Sequence, residues 1–181
     1  TMEDTWILSI FRIILVLGFF LSAWKWGDWR HWGKYYPSML FVMVVNLTFG
    51  YVAYNHPLWV FNQDAIVKNQ TIVEFVNTYV ALSLTTLIYL SRFPRKGFLP
   101  ELLYMLEWVF IYGALECIDS KITGGISYDN GWSWIHSVLF DCVMFPTIRI
   151  HYVRPFWGWM ITILAAIFIL VVYDFRLADM K

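Results

Sequence analysis

Among the ionisable side chains inside the long apolar stretches of this sequence, five could do chemistry. Glu74, Glu116, His136 and Asp141 are the candidates for binding a ligand or a metal ion, and Arg12 could neutralise a neighbouring carboxylate. A charged side chain at membrane depth costs roughly 2.5 to 3.5 kcal/mol on insertion scales. Such residues therefore tend to face a protein interior or a wet cavity.

Some of these candidates lie at the same predicted depth in the membrane, and others lie on the same face of one helix. Residue counts along each apolar run put Glu116 and His136 at matching depth, with Glu74 able to approach the same level. His136 and Asp141 fall within one polar arc of about 140° on their helix. A histidine with two carboxylates suits a divalent metal or a cationic ligand. No HExxH or ExxH motif accompanies them, and the same residues could instead form a hydrogen-bonded network that only fixes helix register.

Asp141 raises a separate question, because it lies near the middle of its run with Ser137 one turn away. It could relay protons, or it could be a neutral, hydrogen-bonded acid. Both interpretations place Asp141 in the protein interior.

Six apolar runs must position these residues. The predicted spans are residues 6–24, 37–54, 71–90, 100–119, 132–150 and 155–173. At 1.5 Å per residue each is long enough to cross most or all of a hydrocarbon core of roughly 30 Å. The 181 residues are 60% hydrophobic and 14% charged, and a soluble domain of that size could not hide so much apolar surface. The sequence predicts an all-α, polytopic integral membrane protein, residues 1–181 forming one bundle of about six transmembrane helices.

A tryptophan-rich segment, residues 24–36, follows the first run. Trp26, Trp29 and Trp32 recur every third residue with charges between them, which is typical of an interfacial stripe. The segment before the first run has no basic stretch and no small-residue cleavage site follows the run, so we expect the first span to be retained.

Lysine and arginine are unevenly distributed among the turns. The turns after the first, third and fifth runs hold eight, and the opposite side holds four. The first set is Lys25, Arg30, Lys34, Arg92, Arg95, Lys96, Arg149 and Arg154, and the second is Lys68, Lys121, Arg176 and Lys181. The positive-inside rule then predicts a cell-membrane protein with the first set in the cytoplasm and both termini outside it.

Several function classes are disfavoured. The formal net charge is zero and no long basic run occurs, which argues against a nucleic-acid partner. No glycine-rich phosphate loop, serine-hydrolase elbow or lysine inside a span is present. Cys117 and Cys142 lie in apolar stretches without CxxC spacing, so they are interpreted as buried thiols.

Four sets of residues carry a resemblance. They are Trp26-Gly27-Asp28-Trp29 with Tyr35-Tyr36-Pro37, Glu107-Trp108, Tyr128 with Gly131-Trp132-Ser133, and Met144-Phe145-Pro146 with Arg149 and His151. Together they resemble a small uncharacterised multi-pass membrane protein family of endospore-forming Gram-positive bacteria. The resemblance implies a bacterial cytoplasmic membrane and assigns no activity to any residue.

Three functional hypotheses are compatible with these residues. The leading hypothesis is binding, sensing or transport of a small ligand or ion through a polar cavity between the third, fourth and fifth spans. The alternative is a metal-dependent intramembrane enzyme acting on a lipid or small amphiphile, with Glu116 and His136 as ligands and Asp141 as acid or base. The third is a structural or accessory subunit. A divalent metal is the only cofactor the residues suggest, the lipid bilayer is the expected partner, and the oligomeric state is left open.

Overall fold

The computed structural model describes residues 2–95, 97–176 and 180, and within them the chain forms seven α-helices. The helices are α1 (Met2–Trp26), α2 (Tyr36–Val52), α3 (Gln70–Val76), α4 (Ser83–Ser91), α5 (Phe98–Lys121), α6 (Trp134–Val153) and α7 (Pro155–Val172). A 3₁₀ segment, Trp29–Lys34, joins α1 to α2. A π-helical segment, Asn77–Leu82, joins α3 to α4, so that Gln70–Ser91 is one helical stretch.

Six helical stretches thus coincide with the six predicted runs, and their ends differ from the predictions by at most four residues. Four of them are long and apolar enough to cross a membrane, namely Thr5–Trp26, Gln70–Ser91, Phe98–Lys121 and Pro155–Val172. α2 is apolar but shorter, with 17 residues. Lys96 and Lys181, both part of the predicted charge asymmetry, lie outside the described residues.

The stretch Gln70–Ser91 forms the centre of the bundle. In its most apolar window 44% of the residues are buried, against 11% in Pro155–Val172. Every residue from Ser83 to Leu90 is buried. The outer helices instead expose large apolar side chains along their length, as Leu21 of α1 and Phe168 of α7 do. Cys142 is exposed and Cys117 is partly exposed, so the interpretation of both as buried thiols is wrong.

The two ends of the bundle differ in structure. At one end, β1 (Trp59–Phe61) pairs antiparallel with β2 (Ile126–Tyr128), which ties the α2–α3 connection to the α5–α6 connection. We call this the sheet end. The other end holds the 3₁₀ segment, the α4–α5 turn and the α6–α7 corner, and we call it the tryptophan end.

Aromatic packing around Tyr89 holds the central helix in place. Tyr89 is fully buried, and its hydroxyl donates to the backbone oxygen of Phe145 at 2.9 Å. Its ring stacks on Tyr104 with a centroid distance of 5.5 Å. Pro146 follows Phe145 directly, and α6 continues through this proline. α4, α5 and α6 are therefore fixed against one another between the two ends.

Candidate functional site: two polar clusters toward the sheet end

Glu116 of α5 is held between β2 and α6. The hydroxyl of Tyr128 donates to its Oε1 at 2.7 Å, and Ser137 of α6 lies near the same carboxyl. The Ser137 oxygen accepts from the indole N–H of Trp132 at 2.9 Å. Burial raises the pKa of Tyr128, so this hydroxyl keeps its proton and acts as a donor. The sheet end thus supplies one hydroxyl donor to this carboxyl, and a second hydroxyl, that of Ser137, lies near it.

Asp141 lies one helical turn beyond Ser137, on the same face of α6. It is 5% exposed, and its Oδ2 is buried without a hydrogen-bond partner among the described residues. It is close enough to Glu116 and Tyr112 for electrostatic interaction with both. Tyr112 turns its hydroxyl away, to the Oγ1 of Thr85 at 2.7 Å. We call Glu116 and Asp141 the acidic pair.

The acidic pair has no cationic partner among the residues that the structure describes. The only Lys or Arg ion pair in the described part of the chain joins Arg12 to another residue, Asp64. Unpaired polar groups in a dry interior are costly, and most buried side-chain polar atoms have a partner. Two interior acids with one orphan oxygen therefore call for a physical explanation beyond helix packing.

The other two ligand candidates lie apart from this pair. His136 hydrogen-bonds to Ser133 through Nδ1 at 2.9 Å, and its ring packs against Trp132 and Tyr173, toward α7. Glu74 accepts from the side chain of Gln70, one turn earlier in its own helix, at 3.2 Å. Within the described ranges, no hydrogen bond or ion pair joins either residue to the acidic pair. The structure therefore does not assemble the four candidates around one point.

Arg12 has a partner that sequence reasoning did not single out. Its Nη1 donates to Oδ2 of Asp64 at 2.7 Å, and its Nη2 donates to the backbone oxygen of Gly125 at 3.2 Å. The side chain of Asp64 is 2% exposed and that of Arg12 is 15% exposed. This ion pair links α1 to both connections at the sheet end.

The second oxygen of Asp64 organises the α2–α3 connection. Oδ1 accepts from the Ser9 hydroxyl and from the backbone N–H groups of Ile66 and Val67, each at 2.8 Å. Burial alone would raise the pKa of Asp64, but the hydrogen bonds from Val67, Arg12, Ser9 and Ile66 outweigh it and lower the pKa. Asp64 is thus held as a carboxylate.

Asp119 completes this second cluster from the last turns of α5. It is 7% exposed, its Oδ1 accepts from the Thr123 hydroxyl at 2.7 Å, and it interacts electrostatically with Arg12. The sequence did contain an indication that these two acids could lie near Arg12. Asp64 is the only acid in the polar loop 55–70, and Asp119 ends the predicted fourth span, both on the side where Arg12 was placed. We call Arg12, Asp64 and Asp119 the Arg12 cluster.

The structure also shows where the interfacial tryptophans lie and bears on the metal-site hypothesis. Trp26, Trp29 and Trp32 are all about half exposed at the tryptophan end, and Trp29 donates its indole N–H to the backbone oxygen of Ala23 at 2.6 Å. No group of three His, Cys, Asp or Glu side chains placed to hold a metal ion occurs among the described residues.

Comparison with models of known protein families, with curated proteins and with solved structures finds no match to this chain. Its function must therefore be argued from the geometry of the two clusters.

Proposed function

We propose that this chain is a six-span membrane protein that senses or transports a small ligand or ion by binding and releasing a proton at the acidic pair. Six spans follow if α2 and α6 cross the bilayer with the four long apolar helices. In this arrangement the sheet end faces outward and the tryptophan end faces the cytoplasm, as the lysine and arginine distribution predicts.

A lipid environment accounts for the outer surface of the bundle. Contiguous apolar patches of more than a few hundred Å² are rare on soluble monomers. Here α1, α5 and α7 expose bulky apolar side chains along most of their length, and most of the residues in their apolar windows are not buried. Such helices are stable when lipid tails cover them.

The observation that carries the functional proposal is the unpartnered Oδ2 of Asp141 beside Glu116. Two acids in a low-dielectric interior without a cation do not readily carry two negative charges. A proton between them removes the repulsion, and its release leaves a charge that the surrounding hydroxyls must solvate. Tyr128 already donates to Glu116, and Ser137 lies near the same carboxyl.

The proposed path of the proton runs from Asp141 through Glu116 to the sheet end. Glu116 hydrogen-bonds to Tyr128, which lies on β2 at the sheet end, whereas Asp141 lies deeper, beside Tyr112 of α5. In the described residues no hydrogen bond joins Asp141 to Glu116, so a proton must cross between these two carboxyls before it reaches the Tyr128 hydroxyl at the end of the bundle. Protonation at Asp141 would then change the packing of α5 against α6.

The metal-dependent enzyme is less well supported, because His136 turns toward α7 and the acidic pair supplies only two carboxyl ligands. The structural-subunit hypothesis makes a different prediction from ours. A purely structural acid keeps one protonation state throughout the range in which the protein stays folded.

Infrared spectroscopy of the protein in nanodiscs tests the proposal. We expect a protonated-carboxyl band whose intensity changes reversibly with pH. The band should be lost or reduced in Asp141→Asn and altered in Glu116→Gln, because each substitution removes one member of the pair. Glu107→Gln is the matched control, since Glu107 is an exposed acid on the same helix as Glu116.

Two results would contradict the proposal. One is a carboxyl region that neither Asp141→Asn nor Glu116→Gln changes at any pH. The other is a band that belongs to Asp141 but stays constant while the protein remains folded, which is the behaviour of a structural acid.

A further inference from the structure

A cleft separates α1 from α3 and the π-helical segment. Its volume is about 380 Å³, within the range of small-molecule sites. Its lining is mainly apolar, with Val16 and Phe19 on one wall and Val73 and Ala81 on the other. Ile13 and Leu17 also line it and are about half exposed, so the cleft opens sideways between the helices.

The Arg12 cluster closes the sheet end of this cleft, since Arg12, Asp64 and Asp119 all line it. Both hydrogen-bonding ends of the Arg12 guanidinium are occupied, one by Asp64 and the other by the Gly125 oxygen. Two carboxylates against one guanidinium leave one negative charge unbalanced. The polar end of the cleft therefore favours a cation over an anion.

The unbalanced charge is concentrated on Asp119. Its Oδ1 accepts only a neutral hydroxyl, and in the described part of the chain no donor reaches its Oδ2. Gly125 leaves room for this carboxyl, because a Cβ at that residue would overlap it. Thr123 and Gly125 thus bond to Asp119, a buried residue, at the end of an apolar cleft.

A second polar group lies in the same cleft. Asn77 lines it at the first residue of the π-helical segment, and its side-chain amide has no hydrogen-bond partner among the described residues. The wider turns of a π-helix are found frequently at functional sites. Here the segment brings Asn77 and Ala81 to the cleft while Thr78 faces Asn46 of α2.

We propose that this cleft binds one single-chain cationic amphiphile, with its ammonium group at Asp119 and its alkyl chain between α1 and the π-helical segment. The apolar walls match an alkyl chain entering sideways from the bilayer. The ammonium group forms a charge-assisted hydrogen bond to Asp119, and the Asn77 oxygen can accept a second bond. This inference uses none of the residues of the acidic pair and does not depend on the function proposed for them.

Equilibrium binding of radiolabelled dodecylamine to the protein in neutral-lipid nanodiscs tests the proposal, with empty nanodiscs as background. We expect saturable binding of one molecule per chain. Dodecyl sulfate and dodecanol, which have the same chain length but an anionic and a neutral headgroup, should compete at least ten-fold less well. That factor corresponds to about 1.4 kcal/mol.

Three variants locate the site. Asp119→Asn keeps an oxygen acceptor for Thr123 but removes the charge, so dodecylamine should bind about ten-fold more weakly. Ala81→Phe fills the apolar part of the cleft without touching the Arg12 cluster and should also weaken binding. Glu107→Gln removes an exposed charge from the same helix as Asp119 and should bind as the unsubstituted protein does.

Dodecylamine binding no greater than that of empty nanodiscs would overturn the proposal. Equal competition by dodecyl sulfate would also overturn it, because it would remove the role of the charge. Unchanged binding in both Asp119→Asn and Ala81→Phe would place the amphiphile elsewhere. Circular dichroism of each variant before the assay establishes that it is folded.

Discussion

Breaking the ion pair between Arg12 and Asp64 should destabilise the bundle strongly. In Asp64→Asn, the remaining Oδ1 can still accept from Ser9 and the loop N–H groups, but the Arg12 guanidinium loses its charged partner. Removing one member of a buried pair costs about 3 to 5 kcal/mol because the other charge is left uncompensated. Arg12 is 15% exposed and keeps its bond to Gly125 and its electrostatic interaction with Asp119, so its charge stays partly compensated and we expect no more than the lower end, about 3 kcal/mol.

A double-mutant cycle isolates the pair. Arg12→Gln, Asp64→Asn and the double variant are unfolded by denaturant titration in mixed micelles, followed by circular dichroism. The double variant should be less destabilised than the sum of the single variants, with a coupling energy of about 1 to 3 kcal/mol. Glu107→Gln, which changes an exposed acid, should remain within about 0.5 kcal/mol of the unsubstituted protein. Additive single effects would refute the assignment of this pair.

The same pair predicts an acid dependence. The pKa of Asp64 is lower in the folded protein than its ordinary value of about 3.9. Its stabilising contribution is therefore complete above that pH and is lost as the pH falls toward the lower folded-state pKa. The stability difference between the protein and Asp64→Asn should accordingly be constant above about pH 5 and shrink below about pH 4. A difference that grows with acidification would contradict the lowered pKa.

Two further predictions concern helix packing. Gly158→Ala should destabilise the α6–α7 corner by about 1 to 3 kcal/mol, because a Cβ at residue 158 would lie 2.5 Å from the Cβ of His151. Gly50 has open space around it, so Gly50→Ala should be neutral or slightly stabilising in the same unfolding assay. Tyr89→Phe should cost about 1 kcal/mol by removing the hydrogen bond that ties α4 to α6, and an unchanged unfolding midpoint would show that this bond contributes nothing.

The helices could be predicted from the sequence because each is a long apolar run that ends at charged, glycine or proline residues. Gly97 and Pro100 mark the start of α5, and Pro155 marks the start of α7. The π-helical segment could not be predicted, since Asn77–Leu82 has the composition of ordinary helix. The strands were also missed, because three-residue pairings inside loops leave no alternating pattern.

The site could be predicted only in part. Glu116 and Asp141 were candidates, and the structure places them close together because Ser137 and Asp141 share the face of α6 that packs on α5. His136 precedes Ser137 by one residue, a rotation of about 100°, and this turns it toward Tyr173. Asp64 was missed because depth along a span says nothing about a loop that folds back over α1 to reach Arg12.

All that is proposed for the acidic pair requires the bundle to cross a membrane with its two ends on opposite faces. Arg30→Cys at the tryptophan end and Lys68→Cys at the sheet end test this in a protein whose Cys117 and Cys142 have been replaced by serine, because both positions are exposed. A membrane-impermeant maleimide should label Lys68→Cys in intact cells, and Arg30→Cys only after the cells are permeabilised. Labelling of both positions from outside intact cells would contradict the membrane-spanning arrangement.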